Sequence, residues 1–157
     1  MTKYVSRNFA AKVAEIIRRE GKKIVFTSGT FDIFHATHAI LLEAAAGYGE
    51  LFVGVNSDAA VRFLKGLGRP INREEDRCRV LEAIQAVEYV FTFDEPNNNE
   101  NIRLLRPDFY IKGGDYDISR LSSSKLVEEY GGQTVILPTR TDLSTTSIIN
   151  KIINGGV

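Results

Sequence analysis

Phe9, Val13, Ile16 and Ile17 recur at the spacing of one helix face, with mostly polar or small residues between them. The spacing predicts an amphipathic helix over Asn8–Glu20, closed by Gly21. The pattern then changes: Lys23–Ser28 (KIVFTS) is a short β-rich run and predicts a first strand. The same alternation continues to the end of the chain. A helix is predicted from Thr37 to Ala46, closed by Gly47, a second strand at Leu51–Asn56, and a short helix over 58–64. Asn72 and Glu75 form a capping-box-like pair that opens a helix to Ala86. A third strand at Tyr89–Phe93 is followed by the polar loop Glu95–Glu100 and a short helix ending before Pro107. A fourth strand at Phe109–Lys112, a helix over 123–130 ending at Gly131-Gly132, and a fifth strand at Thr134–Leu137 complete the core. Ser144 caps a last helix running through Ile153.

Five short apolar strands separated by helices imply an α/β fold: a Rossmann-like, doubly wound, mostly parallel sheet with helices on both faces. In such sheets ligands bind at the carboxyl ends of the strands, near the switch in strand order. Functional residues are therefore expected after strands 1, 2, 4 and 5.

The chain's 157 residues, with no repeat or linker, are expected to form one domain, 1–157. Twenty basic and twenty acidic residues cancel, which argues against a general nucleic-acid binder. The single cysteine, Cys78, excludes an intramolecular disulfide and a thiolate zinc cluster, and reads as core. No apolar run approaches a membrane span, and the N-terminal segment lacks an apolar signal core. A cytoplasmic protein is expected. Charge is nevertheless uneven: residues 1–23 carry +5, residues 62–79 carry +3, and residues 82–108 are acidic. The +3 stretch suits either a polyanion or a solvated face.

Both histidines fall in one predicted strand-to-helix turn, Gly29-Thr30-Phe31-Asp32-Ile33-Phe34-His35-Ala36-Thr37-His38. Gly29 lets the backbone approach a ligand, and the helix opening near Thr37 points free N–H groups at an anion. His35 and His38 add further donors, more sharply if protonated. A structural pair or a metal site stays open on the residues alone, but no third histidine exists. Neither a Walker A motif nor a GxGxxG follows strand 1.

This segment resembles the signature G-x-F-D-x-x-H-x-G-H of the HIGH-type nucleotidyltransferase superfamily. Gly29, Phe31, Asp32, His35 and His38 match; Thr37 stands where the superfamily usually has glycine. Val55–Asn72, Glu75-Asp76-Arg77, Ile111–Asp117 and Ser144-Thr145-Thr146 extend the resemblance to the heptose 1-phosphate adenylyltransferases, here in what looks like the form without a fused kinase. The resemblance implies transfer of an adenylyl group from ATP, with Mg²⁺ on the triphosphate, to a sugar 1-phosphate. Direct in-line displacement would release pyrophosphate. It makes His35, His38, Lys65 and Arg77 the catalytic candidates, with Gly66-x-Gly68 as a hinge beside Lys65 and Arg69 as a weaker candidate. Backbone N–H groups of Thr30 and Phe31 would face the α-phosphate, and Asp32 would orient a histidine, position Mg²⁺ or hold the turn. Lys112, Gly113 and Asp115 would meet the nucleotide after strand 4, and Ser144, Thr145 and Thr146 its terminal phosphates. No metal ligand is assigned to a protein side chain. The implied partners are small molecules, with neither nucleic acid nor membrane, and the implied assembly is a homodimer or larger. A cytidylyltransferase acting on glycerol 3-phosphate or another small phosphate, and a non-catalytic nucleotide-binding protein, are the alternatives.

Overall fold

The computed structural model describes residues 2–139 and 142–155. Strands and helices alternate as α1 (Arg7–Arg19), β1 (Ile24–Gly29), α2 (Ala36–Ala46), β2 (Glu50–Asn56), α3 (Asp58–Lys65) and α4 (Glu74–Glu82). They continue as β3 (Tyr89–Phe93), α5 (Asn99–Leu105), β4 (Phe109–Gly113), α6 (Ser122–Glu129), β5 (Gln133–Leu137) and α7 (Thr145–Ile153). A single 3-10 turn at Ile118–Arg120 precedes α6 and has no counterpart in the predicted elements. The strand order is β3-β2-β1-β4-β5, parallel throughout, as the alternation predicts.

The order reverses between β1 and β4, and there the sheet parts. β1 pairs with β2 along its whole length, but with β4 only at Val25–Phe109 and Phe26–Tyr110. Beyond that point the Thr27 hydroxyl donates to the Ile111 carbonyl at 2.9 Å. The carboxyl ends of β1 and β4 are thus left apart, and the crevice between them is the place where this topology puts a ligand.

Alternation within the buried strands gives the two faces different chemistry. Val25, Leu51, Val53, Val55, Val90 and Ile111 pack one face against α2 and α4 with Leu42, Cys78 and Leu81. Phe26, Phe52, Phe91, Phe93 and Tyr110 pack the other against α1, α5 and α6. Phe26 stacks with Phe91 at 5.9 Å and with Tyr110 at 5.7 Å between ring centres. Gly54 makes room for this row, since a Cβ there would lie 3.0 Å from the Phe26 ring.

Two expectations are corrected. α4 is not capped by Asn72: its N-cap is Arg73, and Asn72 donates instead to the backbone and side chain of Asp32. α4 also ends at Glu82, not Ala86. The N-terminal segment packs against this end of the helix. The Lys3 ammonium donates to the carbonyls of Ile84 and Val87, and Glu82 accepts from the backbone N–H of Lys3. Beyond it Tyr4 forms a parallel bridge to Val90 at the sheet edge, a pairing the hydrophobic pattern does not signal.

The same contacts account for the uneven charge. Arg7 pairs with Glu95 at 2.8 Å and Lys23 with Asp108 at 2.8 Å, while Arg18 donates to the carbonyls of Leu105 and Arg106. The basic N-terminal segment and the acidic 82–108 stretch meet in the fold.

Phe26→Ala removes the ring at the centre of the aromatic row. It should cost about 3–5 kcal/mol in chemical denaturation followed by circular dichroism; a loss under about 1 kcal/mol would show that the row is not central to stability.

Candidate active site

The crevice between β1 and β4 opens into a cavity of about 470 Å³. Segments that follow β1, β2, β4 and β5 line it, as expected of residues beyond strand carboxyl ends. Helices α2 and α7 both point their first turns into it. His35 is the N-cap of α2 and makes no side-chain capping bond, so the first amides of this helix have no side-chain acceptor. Ser144 caps α7 through a reciprocal box with Ser147. Neither first turn holds an acidic residue. Two positive helix ends facing one cavity favour an anion.

His35 and His38 stack within the cavity wall, ring centres 3.8 Å apart at 24°. Phe31 meets the His38 ring edge-on at 5.1 Å, and Phe34 lies 5.6 Å away. The Nδ1 atoms of both histidines are buried without a partner, which leaves Nε2 as the atom that can reach a ligand. Burial, then His35 and Lys65, push the His38 pKa down to about 4, and burial lowers that of His35. Both rings are therefore neutral at pH 7, so they serve an anion as N–H donors without the added strength of a cation.

Lys65 lies at the rim of this cavity. Partial burial, then the neighbouring charges of Arg69 and Arg77, lower its pKa against the opposing pull of Asp32. A phosphate arriving here would relieve the repulsion among these cations. Across the cavity lie Gly113, Gly114 and Asp115. A Cβ on Gly113 would come within 2.7 Å of the Thr139 methyl and 2.9 Å of Leu41, so packing against these two residues already demands a glycine. Gly114 has φ +115°, which favours glycine for a different reason.

Of the residues singled out in the sequence, His35, His38, Lys65, Gly113, Asp115, Ser144, Thr145 and Thr146 line the cavity. Five others do not, and each has a different task. Asp32 is 2% exposed and faces the 69–72 segment. It accepts from Arg69 Nε at 2.6 Å and from the backbone N–H groups of Ile71 and Asn72 at 2.8 and 2.9 Å. Burial alone would raise its pKa, but the donors from Asn72, Ile71 and Arg69 outweigh burial and hold it below the usual carboxylate value. Arg77 is not turned to the cavity: at 1% exposure it donates to the carbonyls of Thr30 and Asn72 and pairs with Asp58 at 2.8 Å. It is a strut beneath the turn. The Thr30 carbonyl is that strut's acceptor, and Phe31 is a buried ring with left-handed backbone, φ +51°. Such a backbone costs about 1–2 kcal/mol for a non-glycine residue, so the surroundings must impose it. Gly29 lies against it, where a Cβ would come within 3.2 Å of the Phe31 ring. Lys112 is drawn over the rings of Tyr116 at 5.1 Å and Tyr110 at 5.8 Å, away from the lining.

The lining also includes Leu41, Thr139 and Leu143, which the motifs do not single out. Leu41 lies one helical turn after His38 and was legible from that spacing. Thr139 and Leu143 carry no such signal. Cys78 is buried in the core, where burial pushes its thiol up to about 12, and it does not touch the cavity. No group of three or more metal-ligating side chains occurs among the described residues, and no described helix is long and apolar enough to cross a membrane.

The cytidylyltransferase-like family model matches residues 26–151, which carry every element of this site. The chain is 43% identical over 143 residues to the bifunctional protein HldE of Syntrophotalea carbinolica, covering 90% of this chain and 29% of that protein. It is 45% identical over 149 residues to HldE of Wolinella succinogenes, covering 94% and 31%. The chain thus spans about three tenths of the length of these relatives. The crystal structure of a lipopolysaccharide core biosynthesis protein from Thermoplasma volcanium superposes with a TM-score of 0.63 over 76% of this chain and 98% of that one. At 23% identity that likeness concerns the fold.

Asp32→Asn removes the charge opposite Arg69 and should destabilise the protein by about 3 kcal/mol at pH 7, the scale of breaking a buried ion pair at one partner. Because its pKa is lowered in the fold, Asp32 contributes fully above the unfolded value of about 3.9. That contribution fades as pH falls through the lower folded value. Urea denaturation between pH 7 and pH 2.5 should therefore show the two proteins converging at the acid end. Parallel curves would contradict the assignment.

Proposed function

The chain belongs to the cytidylyltransferase-like family, and from that premise we propose that it transfers the adenylyl group of ATP to a sugar 1-phosphate, with heptose 1-phosphate as the acceptor. One observation carries the reading. The stacked pair His35–His38 sits between two helix N-termini in a cavity with a single carboxylate, Asp115, among its described lining residues. Such a wall suits the polyphosphate of a nucleotide. The choice of adenylyl and of heptose rests on the motifs that resemble heptose 1-phosphate adenylyltransferases, and on 43% and 45% identity to bifunctional HldE proteins through the same stretch.

On this reading a phosphate oxygen of the acceptor attacks the α-phosphorus of ATP. A new P–O bond forms, the bond from the α-phosphorus to the bridging oxygen breaks, and pyrophosphate leaves with the electron pair. On this reading the displacement is direct and the protein lends no nucleophile; its one thiol is buried away from the cavity. Its work is positioning and charge stabilisation. His35 and His38 donate from Nε2 to the triphosphate, and Lys65 balances charge at the rim. The amides of Thr145 and Thr146, with the hydroxyls of Ser144 and Thr146, hold the terminal phosphates. Gly113 and Asp115 lie along the nucleoside, with Asp115 accepting from a hydroxyl or amine.

The cavity suits Mg²⁺ carried on the triphosphate rather than on side chains, since Asp32 is spent on Arg69 and the 71–72 amides and Asp115 lies along the nucleoside. The ion would offset phosphate charge. The partners are then small molecules, the setting is the cytoplasm, and the assembly is a homodimer or larger.

The test is pyrophosphate release from ATP or CTP with heptose 1-phosphate or glycerol 3-phosphate. ATP with heptose 1-phosphate should turn over. His35→Ala or His38→Ala should lower kcat by about 10²–10³, the usual cost of one preorganised donor, with circular dichroism unchanged. Turnover of CTP alone would overturn the adenylyl assignment. Nucleotide binding with no pyrophosphate from any pair would overturn the reaction.

A further inference from the structure

Thr37 stands where the resembling signature has glycine, and the fold gives it a task. The residue is 9% exposed and lines the cavity one position after the α2 N-terminus. Its hydroxyl donates to the Leu143 carbonyl at 3.5 Å. The opposite element answers: Thr145, the first residue of α7, donates from its hydroxyl to the Ile33 carbonyl at 3.4 Å. The two bonds run in opposite directions. One goes from α2 to the segment before α7, the other from α7 to the segment before α2.

We propose that Thr37 is a positioning residue that straps the N-terminus of α7 to that of α2, so that the two anion-facing helix ends act as one unit. The functional side of this inference rests on the reading of the cavity as a polyphosphate site. Preorganisation matters because a segment ordered before binding spares the ligand the entropy of ordering it. Glycine at position 37 would offer neither the hydroxyl nor the branched side chain that fills the space beside Leu143. Both bonds are long for hydroxyl donors, which favour about 2.7–2.8 Å. An anion drawing on both first turns at once would pull them together and shorten both bonds, so strap and ligand should reinforce each other.

The experiment compares wild type with Thr37→Val, which keeps the branched shape without the hydroxyl, and Thr37→Ser, which keeps the hydroxyl. Amide hydrogen exchange is followed over residues 143–148, free and with inorganic pyrophosphate, and pyrophosphate affinity is measured by calorimetry. Thr37→Val should exchange faster over 143–148 in the free protein and bind pyrophosphate about five-fold more weakly, the factor one net hydrogen bond supplies. Thr37→Ser should restore both. In steady-state turnover Thr37→Val should raise KM for the triphosphate more than it lowers kcat. Exchange and affinity unchanged in Thr37→Val would overturn the strap, whatever the turnover. An altered exchange pattern in a protein that turns over no triphosphate would support the strap and count against the proposed reaction.

Discussion

Asp32 spends both carboxylate oxygens on the 69–72 segment: Arg69 Nε and the backbone N–H groups of Ile71 and Asn72 converge on it inside the protein. The rest of the site depends on this anchor. Asn72, fixed by Asp32, returns a bond from its side-chain amide to the Asp32 carbonyl and offers its own carbonyl to Arg77. Arg77 in turn holds the Thr30 carbonyl and Asp58. The turn from Gly29 to His35 is thereby clamped from below. Clamping of this kind is what allows Phe31 to keep a left-handed backbone and set its ring against His38. A buried charge left unpaired would be costly, so these residues specify one arrangement as well as stabilise it.

That clamp also sets the electrostatics. Lys65, Arg69 and Arg77 gather on the side of the turn that Asp32 occupies, where Asp32 pairs with Arg69 and Asp58 with Arg77. Lys65 acts on His38, whose proton burial already disfavours. The result is a cavity wall of neutral donors and partly compensated cations. Such a wall costs little to leave empty and gains when a polyanion enters.

Much of this was legible in the sequence, and the exceptions have physical causes. Strand and helix alternation follows from local hydrophobic patterning, so the sheet, its parallel sense and the position of the ligand crevice could be anticipated. The histidine pair and the hydroxyls of Ser144–Thr146 were found because local motifs carry them. Residues whose role depends on distant partners were harder to read. Arg77 looks like a phosphate ligand until its carbonyl acceptors at Thr30 and Asn72 are known. Asn72 reads as a helix cap because its true partner, Asp32, lies forty residues away in the chain. Lys112 lies at the carboxyl end of β4, where a ligand is expected, yet two tyrosine rings take its ammonium. The +5 of residues 1–23 had no reading in the sequence, and in the fold it is met by pairs with the acidic 82–108 stretch, Arg7 with Glu95 and Lys23 with Asp108.

The central claim is that the cavity between α2 and α7 is a polyphosphate site read by His35 and His38. A crystal structure with a non-hydrolysable ATP analogue tests it most directly. The account predicts phosphate oxygens within hydrogen-bond distance of Nε2 on both histidines and of the first amides of α7, with the nucleoside along Gly113–Asp115. A triphosphate bound elsewhere, such as the basic cleft of Arg103, Arg120 and Lys125, with both histidines untouched, would contradict it.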